Sequence, residues 1–129
     1  MLDTNIVGHL LNSHAPVRAR FSLLAHSATI SAIVLPEFRY GIAKSKSRHA
    51  NTLGLDQLLL NKLAVIAFTE DDAVTAGTLR ATMEAIGQRM APNDLLIGAQ
   101  ALRIGATLVT TDSDFDRIQG LLIEDWTKP

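Results

Sequence analysis

A chain of 129 residues has room for one domain with an ordinary hydrophobic core, and its 47% hydrophobic and 19% charged residues argue against disorder. The lack of cysteine excludes a disulfide framework and a thiolate metal site, and it favours a reducing cytoplasm. A net charge of -1 does not identify a partner. The apolar stretches are too short to cross a membrane, so we expect a cytoplasmic protein without membrane association.

In chain order, the sequence begins with a very short apolar segment, Met1 and Leu2, which we expect to be the end of a first strand. Apolar runs rich in β-branched residues predict buried strands at Thr29–Leu35, Leu63–Phe68 and Ala106–Thr110. Longer stretches predict helices at Val17–His26, Leu35–Lys44, Ala50–Asn61, Asp71–Ile86 and Asp94–Ile104. This alternation predicts one α/β domain over residues 1–129, with a central, largely parallel sheet flanked by helices.

The two helices nearest the C-terminus have the clearest boundary signals. Thr69 with Asp72 three residues later is typical of a capping box, and Gly87 is a helix stop. The second helix lies between Pro92 and Gly105, which are a start and a stop signal. Apolar residues of the first helix predict its core face: Ala73, Val74, Ala76, Leu79, Met83 and Ile86.

Acidic residues recur where the predicted strands end. Asp3 follows the opening segment, and Glu37 lies in the first turns of the helix after the next strand. Asp94 lies in the first turn of its helix, and Asp112 follows the last predicted strand by two residues. Because the carboxyl ends of parallel strands meet at one edge of a sheet, we expect these acids to lie close together. Clustered carboxylates require a cation, and all-oxygen ligands favour Mg²⁺ or Mn²⁺, so the pattern predicts metal-assisted phosphodiester hydrolysis.

Each acid also has an ordinary structural explanation. Asp94 suits the start of any helix, and Asp112, Asp114 and Asp116 suit turns. Glu37 is more informative, because it interrupts an apolar run. The residues alone leave open a DNA-directed nuclease and a catalytically silent module that binds RNA or protein. A receiver-like signalling domain would need a lysine after a late strand, and the segment TTDSDF has none.

Basic residues cluster after Glu37, with no acid before Asp56: Arg39, Lys44, Lys46 and Arg48. We expect them at one helix end and its following loop, where they are available to hold RNA phosphates; a solvated basic face is the alternative. The single Trp and single Tyr favour recognition of a structured RNA by backbone and shape over base stacking. The four histidines lack metal-ligand spacing, so zinc is not expected.

Four motifs resemble the PIN-domain family, and in particular its VapC-type toxins: MLDTNIV, ISAIVLPEFRYGIAKS, APNDLLIGAQAL, and GATLVTTDSDFDRIQGL followed by EDW. The resemblance covers essentially the whole chain. It implies a PIN-like fold and a magnesium- or manganese-dependent endoribonuclease that cuts tRNA or, in some members, ribosomal RNA. It also implies a homodimer and an inhibitory VapB-like antitoxin. Residues available to line a groove for an antitoxin helix are Arg18, Arg20, Phe21, Leu23 and Leu24, although the same pattern suits a core helix with exposed arginines.

The resemblance assigns catalytic and metal-binding roles to four acids: Asp3, Glu37, Asp94 and Asp112. It leaves Asp114 as a further metal ligand or as the alternative fourth acid. Thr4 corresponds to a small hydroxyl residue that family members place near the metal. Pro36 departs from the family, whose members usually carry a helix-friendly residue there, but proline is tolerated in a first helical turn.

Overall fold

The computed structural model describes residues 1–46, 48–61 and 63–129, with the backbone alone for residues 48–52, 60 and 61. The helices are α1 Thr4–Leu11, α2 Ala15–Leu24, α3 Val34–Lys44, α4 Arg48–Asn61, α5 Glu70–Ala85 and α6 Pro92–Ile104. The strands are short: β1 Thr29–Ser31, β2 Ala64–Ile66, β3 Leu108–Val109 and β4 Ile123–Glu124. Short 3₁₀ helices cover Ala25–Ser27 and Ser113–Arg117. None of the described helices combines the length and the apolar composition needed to span a bilayer.

The opening segment joins two pairs of parallel strands into one layer. β1 pairs with β2, and β3 pairs with β4, both in parallel. Leu2 N donates to Thr29 O at 2.7 Å, while Asp3 N donates to Val109 O at 3.0 Å. The resulting order is β2, β1, opening segment, β3, β4. This order confirms the predicted α/β fold with a largely parallel sheet, and it places Asp3 at the centre of the sheet edge.

Two apolar cores lie on opposite faces of this layer. Leu2 and Val109 belong to one core, while their chain neighbours Met1 and Leu108 belong to the other, as the alternation of side chains along a strand requires. The first core includes buried residues of α1, α2 and α4: Ile6, Val7, Val17, Phe21 and Leu55. The second includes buried residues of α5, α6 and the second 3₁₀ helix: Met83, Leu95, Ile97, Ala101 and Phe115. The central edge of the sheet is therefore supported from both sides.

The structure corrects several predicted boundaries. α1 was absent from the sequence-based prediction, because its apolar and β-branched residues do not signal a helix. It forms because Asp3 Oδ1 accepts a hydrogen bond from Thr4 N at 2.7 Å, and because Ile6 and Val7 fill the first core. β4 was also absent from the prediction, since two residues are too few to show a period. The predicted strands were too long; for example, β1 ends at Ser31 and the chain turns into α3.

Three residues of the predicted core face of α5 are exposed: Ala73 and Val74 near its start, and Ile86 just after its end. Val74 and Ile86 are 65% and 69% exposed, and Ala73 is exposed as well. The predicted core positions Ala76 and Met83 are buried and Leu79 is partly buried between them, and the inward face also includes Asp72, which was not predicted. Residues spaced by three or four lie on one face of a helix, so Val74, two residues from Asp72 and from Ala76, is turned away.

Candidate active site

Helix starts and strand ends position the predicted acids at one edge of the sheet. Asp3 caps α1 directly after the opening segment, while Glu37 and Asp94 lie in the first turns of α3 and α6. Asp112 caps the second 3₁₀ helix, three residues after β3. The first turn of an α-helix carries partial positive charge, which favours a carboxylate at each of these α-helical positions.

Asp3 is buried, with 5% exposure, and its carboxylate contacts hydrogen-bond donors of three neighbouring residues. Its Oδ1 accepts from Thr4 N at 2.7 Å, and its Oδ2 accepts from the Thr110 hydroxyl at 2.8 Å. Asn5 Nδ2 lies 3.5 Å from Oδ2. Burial raises the pKa of Asp3 despite the hydrogen bonds from Thr110 and Thr4, and the negative charges of Asp112 and Glu37 raise it further. The chain thus places an acid where its ionised form is disfavoured.

Asp94 shows most directly that the predicted acids lie near one another. Its pKa is raised to about 6, first by burial and then by the negative charges of four other acids: Asp3, Asp112, Glu37 and Asp114. Among the described residues, no three acids or histidines already lie together at metal-ligand spacing. Carboxylates of like charge resist closer approach unless a cation compensates them. The structure therefore brings the predicted acids within electrostatic reach of one another, but no three of the described ones lie at metal-ligand spacing.

Glu37 lies at the exposed margin of the site. Its Oε2 is 3.4 Å from the Thr4 hydroxyl, so Thr4 links the start of α1 to the start of α3. Pro36 falls in the first turn of α3, where a backbone N–H has no partner within the helix. The departure from the family at this position therefore leaves the helix intact and Glu37 at the site.

Asp112 and Asp114 face different partners. Asp112 Oδ1 accepts from Asp114 N at 2.9 Å, and Asp112 N donates to the Thr110 hydroxyl at 3.0 Å. Asp114 Oδ1 lies 3.4 Å from Arg117 Nη2, in an exposed ion pair. Asp112 is thereby linked through Thr110 to Asp3, whereas Asp114 is directed towards a cationic side chain.

A close contact with α6 holds this acidic 3₁₀ helix near Asp94. A Cβ built on Gly98 would lie 2.3 Å from Ile118 Cδ1 and 3.4 Å from a ring carbon of Phe115. Ile118 and Phe115 are both buried. The missing side chain of Gly98 is what allows α6 and the segment after Asp112 to approach so closely.

Thr110 is a site residue that was not predicted from the sequence. It is 2% exposed, and its hydroxyl contacts both Asp3 and the backbone of Asp112. A signal for it was present, because a hydroxyl residue directly after a buried strand lies at the same sheet edge as the acids.

The predicted RNA-binding residues lie on α3 and beyond it. Arg39 donates to Asp56 at 2.7 Å, so its guanidinium already has an acidic partner. Lys44 Nζ lies 5.3 Å from the centre of the Tyr40 ring, and Lys46 is exposed. The side chain of Arg48 lies outside the described residues. Arg39 is therefore less available for phosphate than its sequence position suggests.

The predicted antitoxin groove on α2 contains both buried and exposed side chains. Phe21 is buried in the first core at 8% exposure, while Leu23 and Leu24 are 74% and 37% exposed. Arg18 Nη1 donates to Ser13 Oγ at 3.2 Å, and Arg20 is exposed. Phe21 is thus a core residue and does not line a surface groove, whereas Leu23 and Leu24 leave exposed apolar surface on α2.

The donor set at this edge suits a hard divalent cation. All its charged groups are carboxylates, and hard cations such as Mg²⁺ and Mn²⁺ are held by oxygen. Burial, followed by the negative charges of neighbouring acids, raises the pKa values of Asp3 and Asp94, and a bound cation would favour the ionised form of both. The residues present therefore fit such an ion by their chemistry, and Asp3, Asp94, Asp112 and Glu37 are available to hold it.

Comparison with known proteins gives the family. The model of the PIN domain matches residues 1–121. A Rickettsia felis protein named Ribonuclease VapC2 is 40% identical over 132 residues, which cover 99% of this chain and 98% of the relative. A Shigella flexneri protein named tRNA(fMet)-specific endonuclease VapC is 33% identical, covering 98% and 97%. The crystal structure of VapBC2 from Rickettsia felis, bound to a DNA fragment from their promoter, superimposes with a TM-score of 0.89 at 39% identity, covering 98% of this chain and 97% of that one. The chain therefore belongs to the PIN-domain family, among its VapC-type nucleases.

Proposed function

We propose that this PIN-domain nuclease is the toxin of a toxin–antitoxin pair and hydrolyses phosphodiester bonds in structured RNA, with tRNA preferred over ribosomal RNA. Its cofactor in this proposal is Mg²⁺ or Mn²⁺. The observation that carries the proposal is the meeting of several acids at one edge of the sheet, where burial and then the charges of Asp3, Asp112, Glu37 and Asp114 raise the pKa of Asp94 to about 6. Carboxylates that repel one another in this way are stabilised in their ionised form when they coordinate a divalent cation. The name of the Shigella flexneri relative supports tRNA as the substrate.

We assign the metal to the acids nearest the centre of the sheet edge. Asp3, Asp94 and Asp112 are the proposed direct ligands, because Asp3 and Asp112 share Thr110 and both act on the pKa of Asp94. Asp114 takes an outer position in this proposal, since Arg117 already lies 3.4 Å from its carboxylate. Asp112 is thus the proposed fourth acid of the family motif.

We assign the activation of the attacking water to Glu37. A bound divalent ion supplies polarisation of the phosphoryl group and compensates the charge that develops on it. Glu37 is exposed, and its carboxylate, beside the Thr4 hydroxyl, accepts a proton from the attacking water. The water oxygen forms a bond to phosphorus, the bond from phosphorus to the leaving ribose oxygen breaks, and that oxygen takes up a proton from solvent.

The basic residues after Glu37 are the proposed contacts to the RNA backbone: Arg39, Lys44, Lys46 and Arg48. Arg39 must exchange Asp56 for a phosphate. The two side chains of that ion pair are 43% and 45% exposed, and exposed pairs contribute only about 0–1 kcal/mol, so the exchange costs little. Phosphate contacts of this kind position a nucleic acid without reading its sequence.

A VapB-like antitoxin and a second copy of the chain are the proposed protein partners. The similar Rickettsia felis structure is one of VapBC2, which supports the antitoxin. The exposed leucines of α2, Leu23 and Leu24, are apolar surface available to an antitoxin helix. Light scattering of the purified chain tests the homodimer: a particle of twice the 13.9 kDa chain mass supports it, and a monomer at micromolar concentration contradicts it.

Cleavage of total tRNA, ribosomal RNA and single-stranded DNA by the purified protein tests the activity. We expect discrete tRNA fragments with Mg²⁺ or Mn²⁺, none with EDTA, and a rate lower by about 100-fold or more in Asp94→Asn. The matched control is Glu84→Gln, which neutralises an acid in an exposed ion pair with Arg80, away from the site. This variant should cleave like the wild type.

The outcomes separate the proposal from its alternatives. Intact RNA in every lane, from protein that circular dichroism shows to be folded, would favour a silent binding module. Cleavage of DNA alone would favour a DNA-directed nuclease. RNA cleavage that persists unchanged in Asp94→Asn would show that the chemistry occurs elsewhere in the molecule.

A further inference from the structure

The hydroxyl of Thr110 connects two acids that lie 109 positions apart in the sequence. Its Oγ1 donates to Asp3 Oδ2 at 2.8 Å and accepts from Asp112 N at 3.0 Å. Thr110 is 2% exposed, so water does not compete freely for these bonds. One buried hydroxyl therefore holds both the carboxylate of Asp3 and the start of the acidic segment after β3.

The direction of these hydrogen bonds follows from what each group can do. A backbone N–H can only donate, so towards Asp112 N the Thr110 oxygen must accept. The single hydroxyl proton is then left for Asp3, whose ionised carboxylate can only accept. The hydrogen bond from Thr110 therefore favours the ionised form of Asp3, which is the form that binds a cation, whereas burial disfavours it.

The hydroxyl is itself held in place by the sheet. Thr110 N donates to Glu124 O at 3.0 Å, and the preceding residue, Val109, accepts from Asp3 N at 3.0 Å. Threonine is branched at Cβ, which restricts its side chain to few rotamers. The orientation of the hydroxyl is thus set by the pairing of β3 with its neighbours.

Asp3 keeps binding capacity despite these contacts. Oδ1 accepts from Thr4 N, and Oδ2 accepts from Thr110. Each carboxylate oxygen has two lone pairs, so Oδ1 retains one for a further partner, and the second lone pair of Oδ2 has only the long 3.5 Å contact from Asn5 Nδ2. Two fixed donors therefore orient the carboxylate and leave it free to coordinate an ion.

We propose that Thr110 is a positioning residue for the divalent cation: it orients the Asp3 carboxylate and fixes Asp112 beside it. This inference rests on the metal site of the proposed function and adds a residue to it. Removal of a hydrogen-bond partner of a metal ligand typically lowers metal affinity about 10- to 100-fold. The competing explanation is that Thr110 only closes the turn before Asp112 and has no effect on the ion.

Thr69 provides a matched control within the same chain. Its hydroxyl also donates to a carboxylate, Asp72 Oδ2, at 3.1 Å, and accepts from a backbone amide, Asp72 N, at 3.3 Å. It lies at the start of α5, where it caps the helix. Thr69→Val therefore removes the same two kinds of hydrogen bond as Thr110→Val, but outside the proposed metal site.

The test is Mn²⁺ binding to the full chain by isothermal titration calorimetry, without RNA. We expect Thr110→Val to weaken binding about 10-fold or more, and Thr110→Ser, which keeps the hydroxyl, to remain within about threefold of the wild type. Thr69→Val should lower the unfolding temperature and leave Mn²⁺ affinity unchanged. Thr110→Ala is measured beside Thr110→Val, with circular dichroism of each, so that a folding defect in one leaves the other as the test.

Two results would overturn the inference while leaving the metal site in place. One is wild-type affinity in folded Thr110→Val or Thr110→Ala; the other is an equal loss in Thr69→Val. Failure of the metal site itself is distinguishable, because the wild type would then bind no Mn²⁺ before any variant is compared.

Discussion

At the scale of single residues, Asp94 is the acid whose ionised form is clearly disfavoured by its surroundings. Its pKa is raised to about 6, first by burial and then by the charges of neighbouring acids. A carboxylate whose pKa is higher in the folded chain than in the unfolded chain, where it is near 3.8, destabilises the fold when it ionises. The contribution of Asp94 to stability is therefore full below about pH 4 and is lost as the pH rises through about 6.

This raised pKa predicts the effect of Asp94→Asn on stability. In EDTA at pH 7.5, we expect the variant to unfold a few degrees above the wild type, because asparagine carries no charge among the acids. At pH 4 most of the difference should disappear, since Asp94 is then protonated and neutral in the folded chain. Thermal unfolding followed by circular dichroism at both pH values measures this, and a variant less stable at pH 7.5 than the wild type would contradict the assigned electrostatics.

At the scale of elements, a buried acid of α5 links this helix to α6 through hydrogen bonds and an ion pair. Asp72 is fully buried and accepts from Thr69 N at 2.8 Å, from Gln100 Nε2 at 3.0 Å, and from Arg103. Burial alone would raise the pKa of Asp72, but the hydrogen bonds from Thr69 and Arg103 outweigh it and hold the pKa below its ordinary value. The contact joins the capping box of α5 to the helix that carries Asp94.

This contact predicts that a buried and an exposed ion pair contribute very differently to the free energy of unfolding. Asp72→Ala should lower the free energy of unfolding by about 3 kcal/mol, because it leaves Gln100 and Arg103 without their buried acceptor. Arg80→Ala, which breaks the exposed pair with Glu84, should cost less than about 1 kcal/mol. Urea unfolding of both variants in EDTA measures the difference, and equal costs would show that the buried acid adds no special stability.

At the scale of the whole molecule, the proposed ion joins parts of the chain that are distant in sequence. Asp3 belongs to the opening segment, Asp94 to α6, and Asp112 to the segment after β3. A ligand that binds only the folded chain stabilises all of it, by about 2.7 kcal/mol at 100 times its dissociation constant.

Titration with Mn²⁺ should therefore raise the unfolding temperature of the wild type by several degrees. Asp94→Asn, which lacks one proposed ligand, should gain much less from the same Mn²⁺ concentrations. Differential scanning fluorimetry from EDTA to millimolar Mn²⁺ makes the comparison. An equal rise in both proteins would indicate that the ion binds elsewhere in the molecule.

Much of this site was predictable from the sequence for a simple physical reason. Parallel strands end at a common edge, so acids that follow short apolar runs are brought together whatever the details of packing. The same reasoning predicted the α/β fold and the capping box of α5, since periodicity and capping are local signals. These features depend on residues that lie close together in the chain.

Long-range contacts decided the rest. α1 became a helix through Asp3 and the core around Ile6, although its own residues do not signal one. Val74 was turned to solvent because α5 packs along α6 through another face, and Arg39 was paired with Asp56, seventeen positions away. Thr110 acquired its place beside Asp3 only when β3 paired with the opening segment. The local pattern of apolar and acidic residues determined the class of fold and which acids meet at the sheet edge. Pairing between distant segments decided which side chains contact those acids, because hydrogen-bond partners far apart in sequence leave no periodic signal.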